Sequence, residues 1–501
     1  MNLNYILKEK VAKFSERTLL HSEYGEHYSY KKYDDITDII AQGLKDLKVK
    51  KGERIAVLHP NHNEVLVAYY SILKAGAVVT PINPSYTASE VKYILGDSEA
   101  RIIFTSYVHD TLINEIKDFI DKNKIIVISR NGEDTYYNSF SKSMDIKEHR
   151  YELAELNNDD VAFLIYTSGT TGKPKGVILT HGNFIFTAPV MAQTYGLRET
   201  DVCINSLPLC HVFSIASGFF SPIMCGSAIV MVERFNPKTV LGLTEKYKGT
   251  WIPGVPTMFA YMLNVLGEQK FDISSLRFGL SGGAPLPIEV HNKWLEMTNV
   301  EIVEVYGLTE STGLVTCNPF YGVKKVGSIG ISAAGVSVKI VDEEGKEVSE
   351  GRTGELIFSG PNSTKGYFKM PEATKEKLKG NWVYTGDHAY RDKDGYYFIA
   401  GRSSDLIISG GYNIYPREIE EIIQDHPDVL EVAVIGIPDK YKGEMPKAYV
   451  ALKPGRKARE EDIINHCKKS LSPYKIPIVQ IVPELPKNQV GKIMKKQLPK
   501  E

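Results

Sequence analysis

The sequence has few cysteines and no strong charge imbalance. Only five of its 501 residues are cysteine, the number is odd, and no two of them form a Cys-x-x-Cys pair. A disulfide framework or a zinc site is therefore not expected, and this usage fits a reducing cytoplasm. The formal net charge is −1, with 60 basic and 61 acidic side chains, so the composition gives no sign of nucleic-acid binding.

Long hydrophobic runs are also lacking. Residues 1–15 are amphipathic and have no apolar core of a signal peptide. The longest apolar stretch, residues 218–232, contains Ser, Pro and Gly and is shorter than a membrane-spanning helix. It predicts a buried helix, a turn and a strand. We expect a cytoplasmic protein, and peripheral membrane contact stays open if the substrate is a lipid.

The length and the order of the apolar segments predict several domains. Short apolar runs alternate with helical periodicity through residues 34–104 and again through residues 201–305. This rhythm predicts parallel sheets with covering helices. After about residue 320, short strands with turn signals predict a small antiparallel β unit. An α+β pattern follows residue 405, and we place a domain boundary at residues 402–405.

The most informative stretch is a polar loop between two apolar runs. Residues 166–176 read Tyr-Thr-Ser-Gly-Thr-Thr-Gly-Lys-Pro-Lys-Gly. Backbone N–H groups and lysines in such a loop can bind the phosphates of a nucleotide triphosphate. The loop is not a P-loop, because Pro174 follows Lys173 where that motif needs Ser or Thr at the start of a helix. The phosphates must therefore be held in another way.

Four further clusters carry residue types suited to nucleotide chemistry. The glycine-rich segment 281–285 would let a flat ring approach the backbone. Residues 306–310 offer an aromatic face and a carboxylate for Mg²⁺. Asp387 and Arg402 are suited to holding a ribose, and Lys492 follows a glycine near the C-terminus. Each cluster alone is more often a turn or a solvated basic tail.

Together and in this order, the motifs resemble the adenylate-forming superfamily of AMP-dependent synthetases and ligases. The resemblance runs from about residue 25 to residue 496 and is closest to bacterial medium- and long-chain fatty acyl-CoA synthetases. It includes residues 410–420, Gly-Gly-Tyr-Asn-Ile-Tyr-Pro-Arg-Glu-Ile-Glu, a signature of the acyl-CoA-forming members.

The resemblance implies an α/β fold, α+β overall. A large N-terminal domain of two doubly wound β/α subdomains plus a β-barrel-like subdomain is expected at residues 1–402. A hinge at residues 403–405 leads to a small mobile α+β C-terminal domain at residues 406–501. The implied activity is formation of an acyl-adenylate from ATP, followed by transfer of the acyl group to coenzyme A.

The resemblance also implies the residues of the adenylation site. Glu310 is expected to bind Mg²⁺, Thr309 to contact the α-phosphate, and Lys492 to bridge the α-phosphate and the substrate carboxylate. His211 matches the position at the carboxylate end of the acyl pocket. The residues expected to bind ATP are Thr167, Ser168, Gly169, Thr170, Thr171, Gly172, Lys173, Gly283, Ala284, Tyr306, Gly307, Asp387 and Arg402.

The thioester step is expected to use a different surface. A rotation about the hinge residue Asp405 would withdraw Lys492 and present residues for coenzyme A. Two departures from the family pattern lie nearby: Ser404 stands where Lys or Asp is common, and Val490 where a small hydroxyl residue is common. The candidates for coenzyme A binding are Gly410, Gly411, Tyr412, Arg417, Lys442 and Lys447.

The predicted acyl pocket is apolar and has several small residues. Its candidates are Phe213, Ile215, Ala216, Phe219, Gly254, Val255, Gly282 and Val305. No arginine in these segments could pair with a second carboxylate, so a medium- or long-chain fatty acid is favoured over a dicarboxylate. An aryl acid of the coumarate or benzoate type is the alternative substrate.

Two other classes of protein are alternatives to an acyl-CoA synthetase, and a homodimer is a further possibility. An adenylation enzyme that loads a carrier protein would share the first half-reaction, but no adjoining Gly-x-Asp-Ser-Leu carrier site occurs. A non-catalytic nucleotide-binding module would need damaged chemistry, whereas Glu310, Asp387 and Lys492 are all present. A homodimer is an open expectation.

Overall fold

The structure is a computed structural model. The residues that it describes are 2–119, 125–127, 151–167, 174–402, 405–409, 412–488, 491 and 493–500.

Helices and strands alternate from the start of the chain, as the periodicity predicts. Helix α2 begins at Tyr30 instead of residue 34, because the Ser29 hydroxyl accepts a hydrogen bond from the Lys32 N–H and caps the helix. The elements up to residue 127 are α1 (Leu3–Phe14), β1 (Thr18–Ser22), β2 (His27–Ser29), α2 (Tyr30–Asp46), β3 (Arg54–Leu58), α3 (Asn63–Lys74), β4 (Val78–Pro81), α4 (Ala88–Ser98), β5 (Ile102–Thr105), α5 (Asp110–Ile116) and β6 (Ile125–Val127).

The alternation continues to residue 332. The apolar stretch 218–232 forms the predicted helix, turn and strand, with a π-helical segment at its start. The elements are β7 (Val161–Thr167), β8 (Lys175–Thr180), α6 (His181–Thr194), β9 (Val202–Asn205), the π-helix Ser214–Phe220, α7 (Ser221–Cys225), β10 (Ala228–Met231), α8 (Pro237–Tyr247), β11 (Trp251–Gly254), α9 (Pro256–Glu268), β12 (Phe278–Ser281), α10 (Ile288–Thr298), β13 (Glu301–Tyr306), β14 (Thr316–Cys317) and β15 (Ile331–Ser332).

These strands form two sheets, ordered β6-β5-β3-β4-β7-β8 and β15-β14-β13-β12-β11-β9-β10-β1-β2. Most neighbouring strands are parallel, and antiparallel pairs occur at the sheet edges. An aromatic cluster joins the two layers: Phe163 of β7 packs on Phe184 of α6 and on Phe220 of the π-helix, with ring centroids 5.0 and 6.0 Å away. Burial of such large apolar surfaces is the main force that holds the layers together.

Two smaller sheets follow after residue 332. A five-stranded antiparallel sheet contains β16 (Ser337–Val341), β17 (Gly354–Ser359), β18 (Leu378–Lys379), β19 (Trp382–Arg391) and β20 (Tyr397–Arg402), with α11 (Pro371–Lys377) before β18. The last sheet contains β21 (Ile407–Ser409), β22 (Tyr412–Ile414), β23 (Val429–Asp439), β24 (Gly443–Leu452) and β25 (Ile478–Val482), with helices α12 (Pro416–Gln424) and α13 (Glu460–Lys468).

The predicted fold class is confirmed. Two α/β layers with parallel sheets and an antiparallel unit make up a large N-terminal region, and a small α+β unit follows. One sheet ends at Arg402 and the next begins at Ile407, while the boundary at residues 402–405 stays a prediction. Among the described residues, helices long and apolar enough to cross a membrane do not occur.

Candidate active site

The candidate site lies at the carboxyl ends of two adjacent parallel strands. Strand β12 ends at Ser281, directly before the glycine-rich segment, and its neighbour β13 ends at Tyr306. Parallel neighbours bring their carboxyl ends to one edge of the sheet, where ligands commonly bind in such folds. Two of the sequence clusters are therefore brought together by the pairing of β12 with β13.

Tyr306, Asp387 and Arg402 form one hydrogen-bonded group. The Tyr306 hydroxyl donates to Oδ2 of Asp387 at 2.6 Å, and Nε of Arg402 lies 2.8 Å from Oδ1. The antiparallel pairing of β19 with β20 sets Asp387 directly opposite Arg402. Burial, with Asp387 adding to it, raises the pKa of Tyr306, so the phenol stays a proton donor. Each carboxylate oxygen of Asp387 keeps a second lone pair that could accept from another hydroxyl group.

Glu310 has a partner that the sequence reasoning missed. The hydroxyl of Tyr367 donates to Oε1 of Glu310 at 2.6 Å, and the Glu310 side chain is buried. Burial, together with the carboxylate, raises the pKa of Tyr367. The ammonium group of Lys175 lies 5.2 Å above the Tyr367 ring. No sequence signal links Tyr367 to Glu310, because the two are 57 residues apart. They meet because residues 364–368 pack on β8 and the Thr364 N–H donates to the Glu310 carbonyl.

Glu310 fits a cation that takes most of its ligands from elsewhere. Within the described ranges, no group of three or more His, Cys, Asp or Glu side chains could hold a metal ion. Mg²⁺ needs no such cage, since it usually keeps waters and binds one or two carboxylates plus phosphate oxygens. One buried carboxylate with a single hydroxyl donor on one oxygen is consistent with that mode of binding.

The polar loop between β7 and β8 is described only at its two ends. Thr167 pairs with Lys175 across the antiparallel hairpin, and the Pro174 carbonyl accepts a hydrogen bond from the Tyr93 hydroxyl at 3.1 Å. Six of the predicted ATP-binding residues lie outside the described residues: Ser168, Gly169, Thr170, Thr171, Gly172 and Lys173. Lys175, at the start of β8, lies over the Tyr367 ring, and Tyr367 in turn binds Glu310. The two ends of the loop are therefore close to Glu310.

Two glycines shape the backbone at the site, one by its conformation and one by a close approach. Gly283 has φ +78°, a left-handed conformation that favours glycine, and Ala284 beside it is half-buried. A Cβ on Gly307 would lie under 3.0 Å from the backbone of Gly313, so a side chain there would displace the turn after β13. Thr309 then begins the 3₁₀ turn Thr309–Ser311.

Some predicted acyl-pocket residues meet around Gly282. A Cβ on Gly282 would lie 2.9 Å from Val305 and 3.0 Å from the Phe213 ring. Val255 is near Gly283, and Gly254 packs against the Phe259 ring. In contrast, Ile215, Ala216 and Phe219 lie in the π-helix and are fully buried in the core. A π-helical turn of this kind often occurs at functional sites.

The loop that carries His211 is held by side chains that were not predicted. Asn61 accepts a hydrogen bond from the Leu209 N–H at 2.9 Å and donates to the Val232 carbonyl at 3.0 Å. The Tyr69 hydroxyl donates to the Leu209 carbonyl at 2.8 Å. These contacts join both α/β layers to the residues just before His211, over sequence separations that pattern reading does not detect.

The C-terminal unit contacts this site through residues next to Lys492, which itself lies outside the described residues. The Thr257 hydroxyl donates to the Gly491 carbonyl at 3.5 Å. Lys487 pairs with Ile493 in an isolated antiparallel bridge, and its ammonium group lies 3.0 Å from the Tyr261 hydroxyl. Gly491 and Lys487, which precede Lys492, thus contact α9 at Thr257 and Tyr261.

The remaining candidates are the hinge residue and the residues expected to bind coenzyme A. Asp405 lies in the segment between β20 and β21. Its negative charge, together with Asp387 and Tyr306, raises the pKa of Arg402. Lys442 is exposed, Lys447 is half-buried over the Tyr449 ring, and Arg417 is buried. Tyr412 is paired with Ser409 in β22, while Gly410 and Gly411 lie outside the described residues.

Comparison with known proteins agrees with this architecture. The profile of the AMP-binding enzyme family matches residues 7–368, and that of the AMP-binding enzyme C-terminal domain matches residues 418–492. A long-chain-fatty-acid–CoA ligase of Bacillus subtilis (strain 168) is 35% identical over 530 aligned residues, which cover 100% of this chain and 94% of the relative.

Solved structures give the same result. The ATP-bound MatB of Rhodopseudomonas palustris superposes with a TM-score of 0.92 at 29% identity, covering 99% of this chain and 98% of that chain. The anthranilate CoA ligase AuaEII, in complex with anthranoyl-AMP, gives a TM-score of 0.93 at 30% identity, covering 99% and 96%. The chain therefore belongs to the AMP-binding enzyme family of AMP-forming acid–thiol ligases, as its motifs predicted.

Proposed function

We propose that this protein is an ATP-dependent acyl-CoA synthetase that activates a medium- or long-chain fatty acid. The observation that carries the proposal is the convergence of four distant segments on one site. The Tyr306–Asp387–Arg402 group, the Glu310–Tyr367 pair and Gly491 beside Lys492 lie at or next to the carboxyl ends of β11 and β13. The β7–β8 hairpin reaches the Glu310–Tyr367 pair through Lys175.

The first half-reaction would join the carboxylate to AMP. A carboxylate is a poor electrophile, so its oxygen attacks the α-phosphorus of ATP and pyrophosphate leaves. Negative charge on the phosphate oxygens would be stabilised by Lys492, Thr309 and the N–H groups of residues 167–173. Asp387, already supported by Tyr306 and Arg402, would accept the ribose hydroxyls, while Gly283, Ala284 and Tyr306 would frame the adenine.

Glu310 would hold Mg²⁺, which when bound supplies positive charge to the phosphates of ATP. The Tyr367 hydroxyl would orient the Glu310 carboxylate by occupying one of its oxygens. His211, held through the Leu209 contacts, would line the carboxylate end of the pocket.

The second half-reaction would release AMP by attack of the coenzyme A thiol on the acyl carbonyl. Rotation of the C-terminal unit about Asp405 would remove Lys492 and bring residues 410–412 to the site. Lys442 and Lys447 are candidates for the phosphates of coenzyme A. Arg417 is buried in the docked arrangement and would need this rotation to become accessible.

The fatty-acid assignment rests on the apolar surroundings of Gly282 and on the relative from Bacillus subtilis. An aryl acid is the second candidate, favoured by the likeness to the anthranilate CoA ligase. The proposal also includes Mg²⁺ as the metal ion, a cytoplasmic location, a homodimer and peripheral membrane contact.

Pyrophosphate release from a panel of acids, with and without coenzyme A, tests the proposed function. Fatty acids of medium and long chain should give the highest kcat/KM and should yield acyl-CoA. Turnover of aryl acids but not of fatty acids would reverse the choice of substrate. Adenylation that coenzyme A cannot discharge would favour a carrier-loading enzyme.

Substitution of Lys492 tests the division between the half-reactions. Lys492→Ala should lower ATP–pyrophosphate exchange by about 10²–10³, because a cation that stabilises the transition state is removed. Thioester formation from preformed acyl-adenylate should largely survive. An equal loss in both half-reactions would contradict the proposed withdrawal of Lys492.

A further inference from the structure

Thr312, two residues after Glu310, has an unusual backbone conformation. Its φ is +54° and its ψ is +29°, in the left-handed region, and the residue is fully buried. Five other non-glycine residues in the described ranges have a positive φ, but all five are exposed and none is β-branched. A β-branched residue is strained in this conformation, which persists only where the surrounding structure enforces it.

The residue that encloses Thr312 is Asn362, which is also fully buried. Its Nδ2 donates to the Ser311 carbonyl at 3.2 Å and to the Leu314 carbonyl at 2.5 Å, on the two sides of Thr312. The Thr312 hydroxyl in turn donates to the backbone carbonyl of Asn362 at 2.8 Å. Three hydrogen bonds to one residue thus close the turn that follows Glu310.

The side-chain amide of Asn362 is present for its two N–H donors. Carbonyl oxygens only accept hydrogen bonds, so the NH₂ group must face Ser311 and Leu314. The other end of the amide, Oδ1, has no hydrogen-bond partner in the part of the chain that the structure describes. A buried acceptor without a partner is unfavourable, so an apolar side chain would suit this position better if it served packing alone.

Segment 361–364, which carries Asn362, is itself fixed from two sides. The Asn183 side chain, in the first turn of α6, donates to the carbonyls of the residues before and after Asn362, at 2.7 and 3.0 Å. The Thr364 N–H donates to the Glu310 carbonyl at 2.8 Å. The backbone around Glu310 is therefore supported from α6 through one short segment.

We propose that Asn362 is a positioning residue for adenylation, which holds Thr312 in its left-handed conformation and thereby directs Thr309 and Glu310 toward the phosphates of ATP. The inference rests on the proposed function, in which Glu310 holds Mg²⁺. Without the two donors of Asn362, Thr312 would relax toward a right-handed backbone. The turn Thr309–Ser311 would then lose its direction, and small displacements of groups that align reactants are costly in rate.

The variant Asn362→Ala tests this by removing both donors. ATP–pyrophosphate exchange should fall about tenfold, and the Mg²⁺ concentration that gives half of the maximal rate should rise. Thioester formation from prepared acyl-adenylate and coenzyme A should change less than about twofold, since pyrophosphate has already left. Equal losses in both steps, or a loss without a change in Mg²⁺ dependence, would mean a structural role only and would overturn the proposal.

A second substitution tests whether strain at Thr312 is what Asn362 holds. Glycine adopts the left-handed conformation without strain, so the turn would no longer need to be forced. Adding Thr312→Gly to Asn362→Ala should therefore restore exchange at least threefold over Asn362→Ala alone. A double variant that is no better than the single one would overturn the proposed link.

A milder variant covers the case in which Asn362→Ala does not fold. Thr312→Val keeps the size and the β-branching but loses one of the three hydrogen bonds. It should lower exchange about threefold, with the same rise in the Mg²⁺ requirement. Unchanged exchange in this variant would contradict the proposal.

Another buried asparagine gives the matched control. Asn318 also bridges a turn: its Nδ2 donates to the Ser328 carbonyl at 2.8 Å, and its Oδ1 accepts from the Lys325 N–H at 3.2 Å. Asn318→Ala should lower the melting temperature and leave exchange within about twofold. A tenfold loss of exchange in this control would show that lost stability alone explains the effect of Asn362→Ala.

The proposal and the proposed function can fail separately. Failure of the unsubstituted protein to exchange pyrophosphate with any acid would overturn the proposed function. Normal exchange in the unsubstituted protein together with normal exchange in Asn362→Ala would overturn only the role of Asn362.

Discussion

At the scale of single residues, the site depends on buried hydrogen bonds that orient its charged groups. Tyr306 and Arg402 each bind one oxygen of Asp387, and Tyr367 binds one oxygen of Glu310. Residues that contact the reacting groups and residues that only orient them should contribute differently to the rate of adenylation. A group that contacts charge in the transition state matters more than one that orients it.

Substitutions in the Glu310–Tyr367 pair should separate these contributions. Glu310→Gln is expected to lower ATP–pyrophosphate exchange by about 10²–10³, since the charged ligand proposed to hold Mg²⁺ near the phosphates is lost. Tyr367→Phe removes one orienting hydrogen bond and should cost about 1 kcal/mol, or about fivefold. Exchange rates over a range of Mg²⁺ concentrations measure both, and equal losses would contradict an orienting role for Tyr367.

His181 should make the stability of the protein depend on pH. Its side chain is fully buried at the start of α6, and burial lowers its pKa to about 4 from 6.5. The unfolded chain therefore binds a proton first as the pH falls, so stability is complete above pH 6.5 and is lost between pH 6.5 and 4. Between pH 7 and pH 5 the loss should be about 2 kcal/mol.

Urea unfolding of the protein and of His181→Gln at the two pH values measures this loss. The variant should show a smaller change in unfolding midpoint from pH 7 to pH 5. The same change in both proteins would show that other groups account for the pH dependence.

At the scale of elements, a buried charge cluster ties the first three helices together. The ammonium group of Lys74, at the end of α3, lies 2.6 Å from carboxylate oxygens of both Asp34 and Asp38 in α2. Lys8 of α1 pairs with the same two carboxylates. Burial alone would raise the pKa of Asp34, but Lys74 and Lys8 together outweigh it and lower that pKa.

Lys74→Met should destabilise the protein by about 3–5 kcal/mol, because two buried carboxylates keep only the partly exposed Lys8. Thermal unfolding of Lys31→Met is the matched control. Lys31 makes an exposed ion pair with Asp35 in the same helix, so its removal should leave the midpoint almost unchanged. Equal shifts in both variants would refute a special role for the buried cluster.

At the scale of the whole molecule, the fit between the two units depends on one glycine beside Lys492. Gly491 has φ +76°, and a Cβ there would lie under 3.0 Å from Oγ1 of Thr257. Gly455, in the same unit, has φ +77° but no described atom within 4 Å of such a Cβ. The two positions share the backbone strain of a non-glycine residue and differ in the contact.

Gly491→Ala should lower ATP–pyrophosphate exchange more than tenfold by pushing the Lys492 loop off α9, while Gly455→Ala should leave exchange unchanged. Both variants should lose about 1 kcal/mol of stability from left-handed backbone strain. Exchange rates and melting temperatures distinguish the two effects. Full exchange by Gly491→Ala would mean that the docked contact does not position Lys492.

The sequence by itself determined the fold class, the order of the elements and the family. Periodicity located the alternating elements of residues 34–104 and the stretch 218–232, because burial of one face leaves a local pattern in the chain. The motifs at residues 166–176, 306–310 and 387 were readable because the residue types expected for phosphate and ribose binding lie in short contiguous segments. The failure of the first of these to be a P-loop pointed to phosphate contacts supplied by other segments.

Only the tertiary structure decided which residues support the site. Tyr367 on Glu310 and Asn61 on the His211 loop join residues 57 and 148 positions apart in sequence. It also buried Ile215, Ala216 and Phe219 in the core, whereas Phe213 and Val305 both lie next to Gly282. Such contacts depend on how layers and units pack, and a side chain's type does not encode which distant neighbour it will meet.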